Sequence, residues 1–208
     1  MIHEERGEPS LAAVCAVVRR DVTEGLLQLW GRSTVIDEHV GQAVIASAVF
    51  EALHEAAGLD EEFPEGNAGL LHVYGYWFSD VLTPFGRKRD RWVDGALAAA
   101  LGRDRRAFHL DADDDTSLLE RVTEATLPVL LDPPRAAVLV EQPVGDHLTR
   151  VVVQASPDGL GSALIYGVDG GSGFRLITAF PVAGDGREVL ADFSSSAQLR
   201  WNAASRPT

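Results

Sequence analysis

The chain has 208 residues, 46% of them hydrophobic, and carries a formal net charge of −13, which provides for one sizeable core under an acidic surface. Such a surface opposes long-range attraction to nucleic acid and to anionic membranes, except where basic residues cluster. The single cysteine, Cys15, excludes an intramolecular disulfide and the cysteine-rich zinc sites.

The N-terminal stretch MIHEERGEPS has no apolar signal core. No run elsewhere approaches the roughly 18 apolar residues of a membrane span. A cytoplasmic protein without a membrane partner is expected. Lys88 is the only lysine and the remaining basic residues are arginines. Lysine, unlike arginine, can lose its proton and do chemistry.

The first third reads as helical, over about residues 8–58. SLAAVCAVVRRDV and EGLLQLW are apolar at helical spacing. TVIDEHVGQAVIASAVFEALHEAAG carries a stripe through Ile45, Val49, Leu53 and Ala56, with Thr34 placed to cap its start and Gly58 to end it. His39 and His54 on this helix read as partly exposed surface histidines.

After LDEEFPEGNAG the period becomes two. In LHVYGYWFS, His72, Tyr74, Tyr76 and Phe78 would share one face of a strand, with Leu71, Val73, Gly75 and Trp77 on the other. TPFG is a turn, with Pro84 presetting the backbone and Gly86 closing it. RWVDGALAAALG reads as a short helix ended by Gly102. TSLLERVTEATLPVLL reads as another, with Ser117 and Glu120 spaced as a capping box and Pro128 expected to break or kink it.

Four strands follow, RAAVLVEQP, HLTRVVVQAS, SALIYGV and GFRLITAFPV, joined by turns short enough to require antiparallel neighbours. Pro143 and Pro181 mark strand ends or edges. In the polar tail, Leu199 and Trp201 are the residues able to pin it down. The expectation is a single α+β domain over 1–208, with N-terminal helices packed on a mainly antiparallel sheet, a strand-rich part over about 69–182 and a short C-terminal tail.

Two motifs fail. DADDD lacks the glycine and the bidentate glutamate of a calcium loop, since Thr116 and Val122 stand there, and reads as a solvated acidic run before a helix. GVDGGSG is followed by a strand rather than a helix start, so it is a hairpin turn and not a phosphate loop. No metal site and no cofactor are expected.

The candidate site is therefore the segment from His72 to Arg91. If His72, Tyr74 and Tyr76 share one face and Lys88 reaches round from the turn, His72 is the candidate general base and Lys88 the candidate cationic stabiliser; the alternative is an aromatic core strand in which His72 donates to a backbone carbonyl. In an extended segment Arg87, Arg89 and Arg91 would project together, opposite Lys88, as a positive strip favouring phosphate or carboxylate. A small anionic ligand near residues 72–91 is the expected partner. The apolar N-terminal helices and an unpaired sheet edge are compatible with a homo-oligomer.

HVYG at residues 72–75 and LITAFPV at 176–182, the latter a strand after a Gly-rich hairpin, together resemble pieces of the metal-independent ribonucleases of the barnase, EndoU, colicin and RelE type. The resemblance implies N-terminal helices before an antiparallel sheet. It also implies His72 as acid or base, Lys88 stabilising a phosphorane and Thr178 orienting the phosphate. RNA would then be a partner, but only on this alternative. The EndoU pattern has a second histidine soon after the first, whereas none follows here until His109.

Overall fold

The computed structural model describes residues 10–113, 115–159, 161–184 and 186–195. Helix α1 (Leu11–Thr23) starts at Ser10, whose hydroxyl accepts from the Ala13 N–H. A 3₁₀ turn follows at Leu26–Leu29. A two-stranded antiparallel ribbon, β1 (Arg32–Thr34) and β2 (Glu65–Asn67), embraces helix α2 (Ser47–Ala57) in the sequence. The hairpin β3 (Leu82–Thr83) and β4 (Gly86–Arg87) turns at Thr83–Gly86 as expected, with the Thr83 hydroxyl accepting from the Phe85 N–H. Then come α3 (Asp90–Val93), α4 (Ala96–Ala100) and α5 (Leu118–Leu131).

The main sheet is a four-stranded antiparallel meander, β5 (Val138–Val144), β6 (His147–Ala155), β7 (Gly161–Asp169) and β8 (Phe174–Ala183), in sequence order, and α6 (Arg187–Ser195) follows it. Strand alternation sorts its side chains onto two faces. Val152, Ala163, Ile165 and Leu176 join the main core with α1, α2, α4 and α5. Val151, Val153, Leu164, Tyr166 and Ile177 pack with Leu190 and Phe193 of α6. The fold is α+β, with helices on an antiparallel sheet, and its largest core cluster draws on residues from Val14 to Ala179.

The capping box is present: the Ser117 hydroxyl accepts from the Glu120 N–H at 2.9 Å, and the Glu120 carboxylate accepts from the Ser117 N–H. Pro128 lies within α5 without ending it; the helix runs on to Leu131, with Asp132 N–H bonded to the Pro128 carbonyl. The β7–β8 turn falls within GVDGGSG, where Asp169 Oδ1 accepts from the amides of Gly171 and Gly173. Leu199 and Trp201 lie outside the described residues. Among the described residues no helix is long and apolar enough to cross a membrane.

Two expectations are corrected. The helix expected from Thr34 begins only at Ser47; Thr34 ends β1, and Gly58 closes the shortened helix in the left-handed conformation (φ 65°). His54 is consequently buried rather than surface-exposed. Its Nδ1–H donates to the Phe50 carbonyl at 2.8 Å, and its Nε2 accepts from the Asn67 N–H.

The second correction concerns residues 70–78, which are helical: a wide π-type turn (Leu70–Tyr74) runs into a 3₁₀ turn (Gly75–Phe78). Alternation distinguishes strand from helix only when one face meets water, and Leu70 through Tyr76 are all buried. A Cβ on Gly75 would lie 2.6 Å from Ile45 Cδ1, so the turn packs tightly against the segment before α2.

Candidate functional site

Helical geometry regroups the expected residues. His72 and Tyr76, four apart, stack with ring centroids 4.9 Å apart at 27°. Tyr74 points away from them. Its hydroxyl donates to Asp21 Oδ2 at 2.5 Å and accepts from the Leu119 N–H, in the main core. Tyr74 is therefore structural.

Burial raises the Asp21 carboxyl above its ordinary range, against the lowering effect of the bonds from Tyr74 and Ser117. A raised carboxyl destabilises the fold as pH climbs through its folded value, because its charged form is the penalised one. Tyr74→Phe is expected to cost about 2 kcal/mol at pH 7, the range for a bond to a buried charge. The cost should shrink toward pH 4 as Asp21 takes up a proton, and urea unfolding at both pH values reads the difference.

His72 is only 3% exposed. Its Nδ1 lies 2.6 Å from the Ile177 carbonyl and its Nε2 lies 3.0 Å from Ser33 Oγ. A carbonyl only accepts, so Nδ1 carries the proton, and the neutral ring then accepts from Ser33 through Nε2. The Ile177 carbonyl is available for a structural reason. The β7–β8 register steps from Tyr166↔Thr178 to Gly167↔Leu176, leaving Ile177 as the extra residue of a β-bulge. A π-type turn thus meets a β-bulge at one imidazole, and both irregularities recur at functional positions.

Lys88 pairs with Asp37, and its ammonium lies 5.8 Å from the Tyr76 ring centroid. The Arg91 guanidinium sits 4.9 Å from the same centroid, donating to Thr178 Oγ1 at 3.2 Å and to the Ala179 carbonyl at 2.9 Å. Two cations therefore meet one buried phenol ring. The rest of the expected strip disperses: Arg89 pairs with Asp80, Arg87 is exposed, and residues 90–93 are helical rather than extended.

The electrostatics follow. Burial, then the charge of Arg91, lowers the His72 pKa to about 3, with Lys88 adding to the effect and the Ile177 bond opposing it. Burial pushes the Tyr76 phenol up to about 12. Burial also lowers the Lys88 ammonium, against Asp37, which holds it charged. The Asp37 carboxyl is raised by burial, but the Lys88 bond and charge and the amides of His39 and Val40 outweigh this and hold it low.

A cavity of about 100 Å³ opens here, bordered by Ser33, Thr34, Asp37, His72, Tyr76 and Lys88. Thr178 lies behind Arg91 and does not border it. Among the described residues the Tyr76 hydroxyl makes no hydrogen bond, and Tyr76 and Lys88 border the same cavity. Ser33 and Asp37 were missed by the sequence reading. They lie 39 and 51 residues from the groups they contact, and nothing local marks them.

Among the described residues no group of three or more His, Cys, Asp or Glu could hold a metal ion. Comparison with known protein families, with curated proteins and with solved structures finds no match.

Proposed function

We propose that the protein binds a small anion in the cavity between Ser33, His72, Tyr76 and Lys88, in a cytoplasmic setting that its single buried cysteine fits. The observation that carries this reading is the pair of cations on Tyr76: they oppose protonation of His72, so the local potential is positive although the protein is acidic overall. Lys88 has donors beyond the one bonded to Asp37, and Tyr76 offers its hydroxyl. The volume suits an oxyanion or a single carboxylate rather than a nucleotide chain.

Isothermal calorimetry with inorganic phosphate tests it. Saturable binding is expected, weakened about tenfold or more by Lys88→Ala, as for loss of a charge-assisted bond. Absence of binding to the wild type would end the proposal.

A ribonuclease is the second reading. It is favoured by one observation: His72 bonds to the carbonyl beside Thr178, which Arg91 links back to Tyr76. A neutral imidazole with its pKa near 3 is a weak base, and its one proton, on Nδ1, is held by the Ile177 carbonyl. Cleavage of RNA that survives a chelator and disappears in His72→Gln would establish this reading over simple binding.

A further inference from the structure

A second concavity borders the start of β1, at the seam between the 3₁₀ turn after α1, the β1–β2 ribbon and β8. It has a volume of about 490 Å³, within the range of roughly 300–1,000 Å³ typical of small-molecule sites. Leu27, Trp30 and Leu59 supply the apolar part of its lining, beside the polar Gln28, Arg32, Glu61, Asn67 and Arg175.

The walls are fixed. Gly31 N–H donates to the Leu176 carbonyl at 2.8 Å, tying the turn to β8, and Ala68 N–H donates to the Gly31 carbonyl. The Trp30 indole N–H is anchored on Thr123 at 2.9 Å. Asn67 is committed to structure, donating to the Leu27 carbonyl and accepting from the amides of Gly69 and Leu70.

The charges at the rim do not cancel. Arg32 and Glu61 form an ion pair at 2.6 Å and neutralise each other. The side chain of Arg175, exposed on β8, makes no hydrogen bond or ion pair among the described residues. Among the described residues one guanidinium without a partner therefore stands at the mouth of a concavity of mixed lining, on a protein whose net charge is −13.

We infer that this concavity binds an amphipathic monocarboxylate, its apolar body on Leu27, Trp30 and Leu59 and its carboxylate on Arg175. A single negative charge matches the single unpaired cation, and the planar fork of arginine accepts a carboxylate through two parallel bonds. A dianion would find its second cation already engaged by Glu61. The site is separate from the Lys88 cavity and independent of the reading given to it.

Calorimetry with sodium octanoate tests the inference, with octan-1-ol as the uncharged counterpart and the Trp30 indole N–H resonance as the reporter of position. The expected result is saturable octanoate binding that moves the Trp30 resonance. Arg175→Ala should weaken it about tenfold with an unchanged melting temperature, octan-1-ol should bind correspondingly less well, and Lys88→Ala should have no effect. Three results would each overturn it: no saturable binding; equal binding of octanoate and octan-1-ol with Arg175→Ala inert, which is partition into an apolar surface; or loss of octanoate binding in Lys88→Ala, which places the carboxylate in the other cavity.

Discussion

Between pH 6.5 and pH 4.5 the protein is expected to lose about 2 kcal/mol of stability through His72 alone. The folded pKa of about 3 lies below the ordinary histidine value of 6.5, so the unfolded chain takes up a proton that the native state refuses. The contribution is complete above 6.5 and is lost as pH falls toward 3, at about 1.4 kcal/mol per pH unit. The geometric cause is specific: both ring nitrogens are already used, one on the Ile177 carbonyl and one on the Ser33 hydroxyl, with Arg91 and Lys88 close by. A proton on Nε2 would turn it from acceptor to donor and bring a second positive charge against Arg91. His54, also buried and lowered first by burial, adds a slope of the same sign. Comparing wild type with His72→Gln isolates one contribution, since the amide does not titrate. Urea unfolding at pH 7 and pH 4.5 should show the wild type losing about 3 kcal/mol more than the variant; equal losses would place the imidazole in water.

Gly66→Ala should cost about 3 kcal/mol, adding overpacking to a broken buried hydrogen bond. Its Cβ would fall 2.2 Å from His54 Nε2 and 3.0 Å from Phe50 Cε2. His54 has nowhere to go. Its Nδ1–H is held by the Phe50 carbonyl, its ring stacks on Phe50 at 4.0 Å, and its Nε2 satisfies the Asn67 amide, which would be orphaned if the ring moved. Gly161→Ala provides the control. Its nearest new contact would be the Val182 carbonyl at 3.5 Å, so a change within about 0.5 kcal/mol is expected. Gly66 also pairs with Ser33 across the β1–β2 ribbon. Displacement there should therefore weaken phosphate binding as well as the fold, and the two effects are measured by urea unfolding and by calorimetry.

The sheet and the site differ in how far local patterning reveals them. The meander was legible because each of its strands is bounded by turn residues, and residues such as Gly145, Gly159 and Gly171 do adopt left-handed backbone in those turns. The Ser117 cap and the Gly58 stop were legible for the same reason: capping is a short-range interaction with a fixed offset. The segment around His72 was misread because burial on every side removes the contrast between periods of 2.0 and 3.6. The misreading grouped Tyr74 with His72 and aligned three arginines that the structure separates. His72, Tyr76 and Lys88 nonetheless border one cavity, because the aromatic and cationic residues pack across a helical turn and a hairpin rather than along a strand. The partners that define the chemistry, Ser33, Asp37 and the bulged Ile177 carbonyl, come from distant parts of the chain and leave no mark in the sequence around His72.

The most direct measurement is an amide-resolved NMR titration of the wild-type protein with inorganic phosphate at neutral pH. Saturable shifts confined to Ser33 through Asp37, His72, Tyr76 and Lys88, with the His72 ring still the neutral Nδ1–H tautomer, are what the arrangement of these residues predicts. Shifts that never saturate, or that gather at Arg87 and the other exposed arginines while Ser33 and His72 stay still, would contradict it.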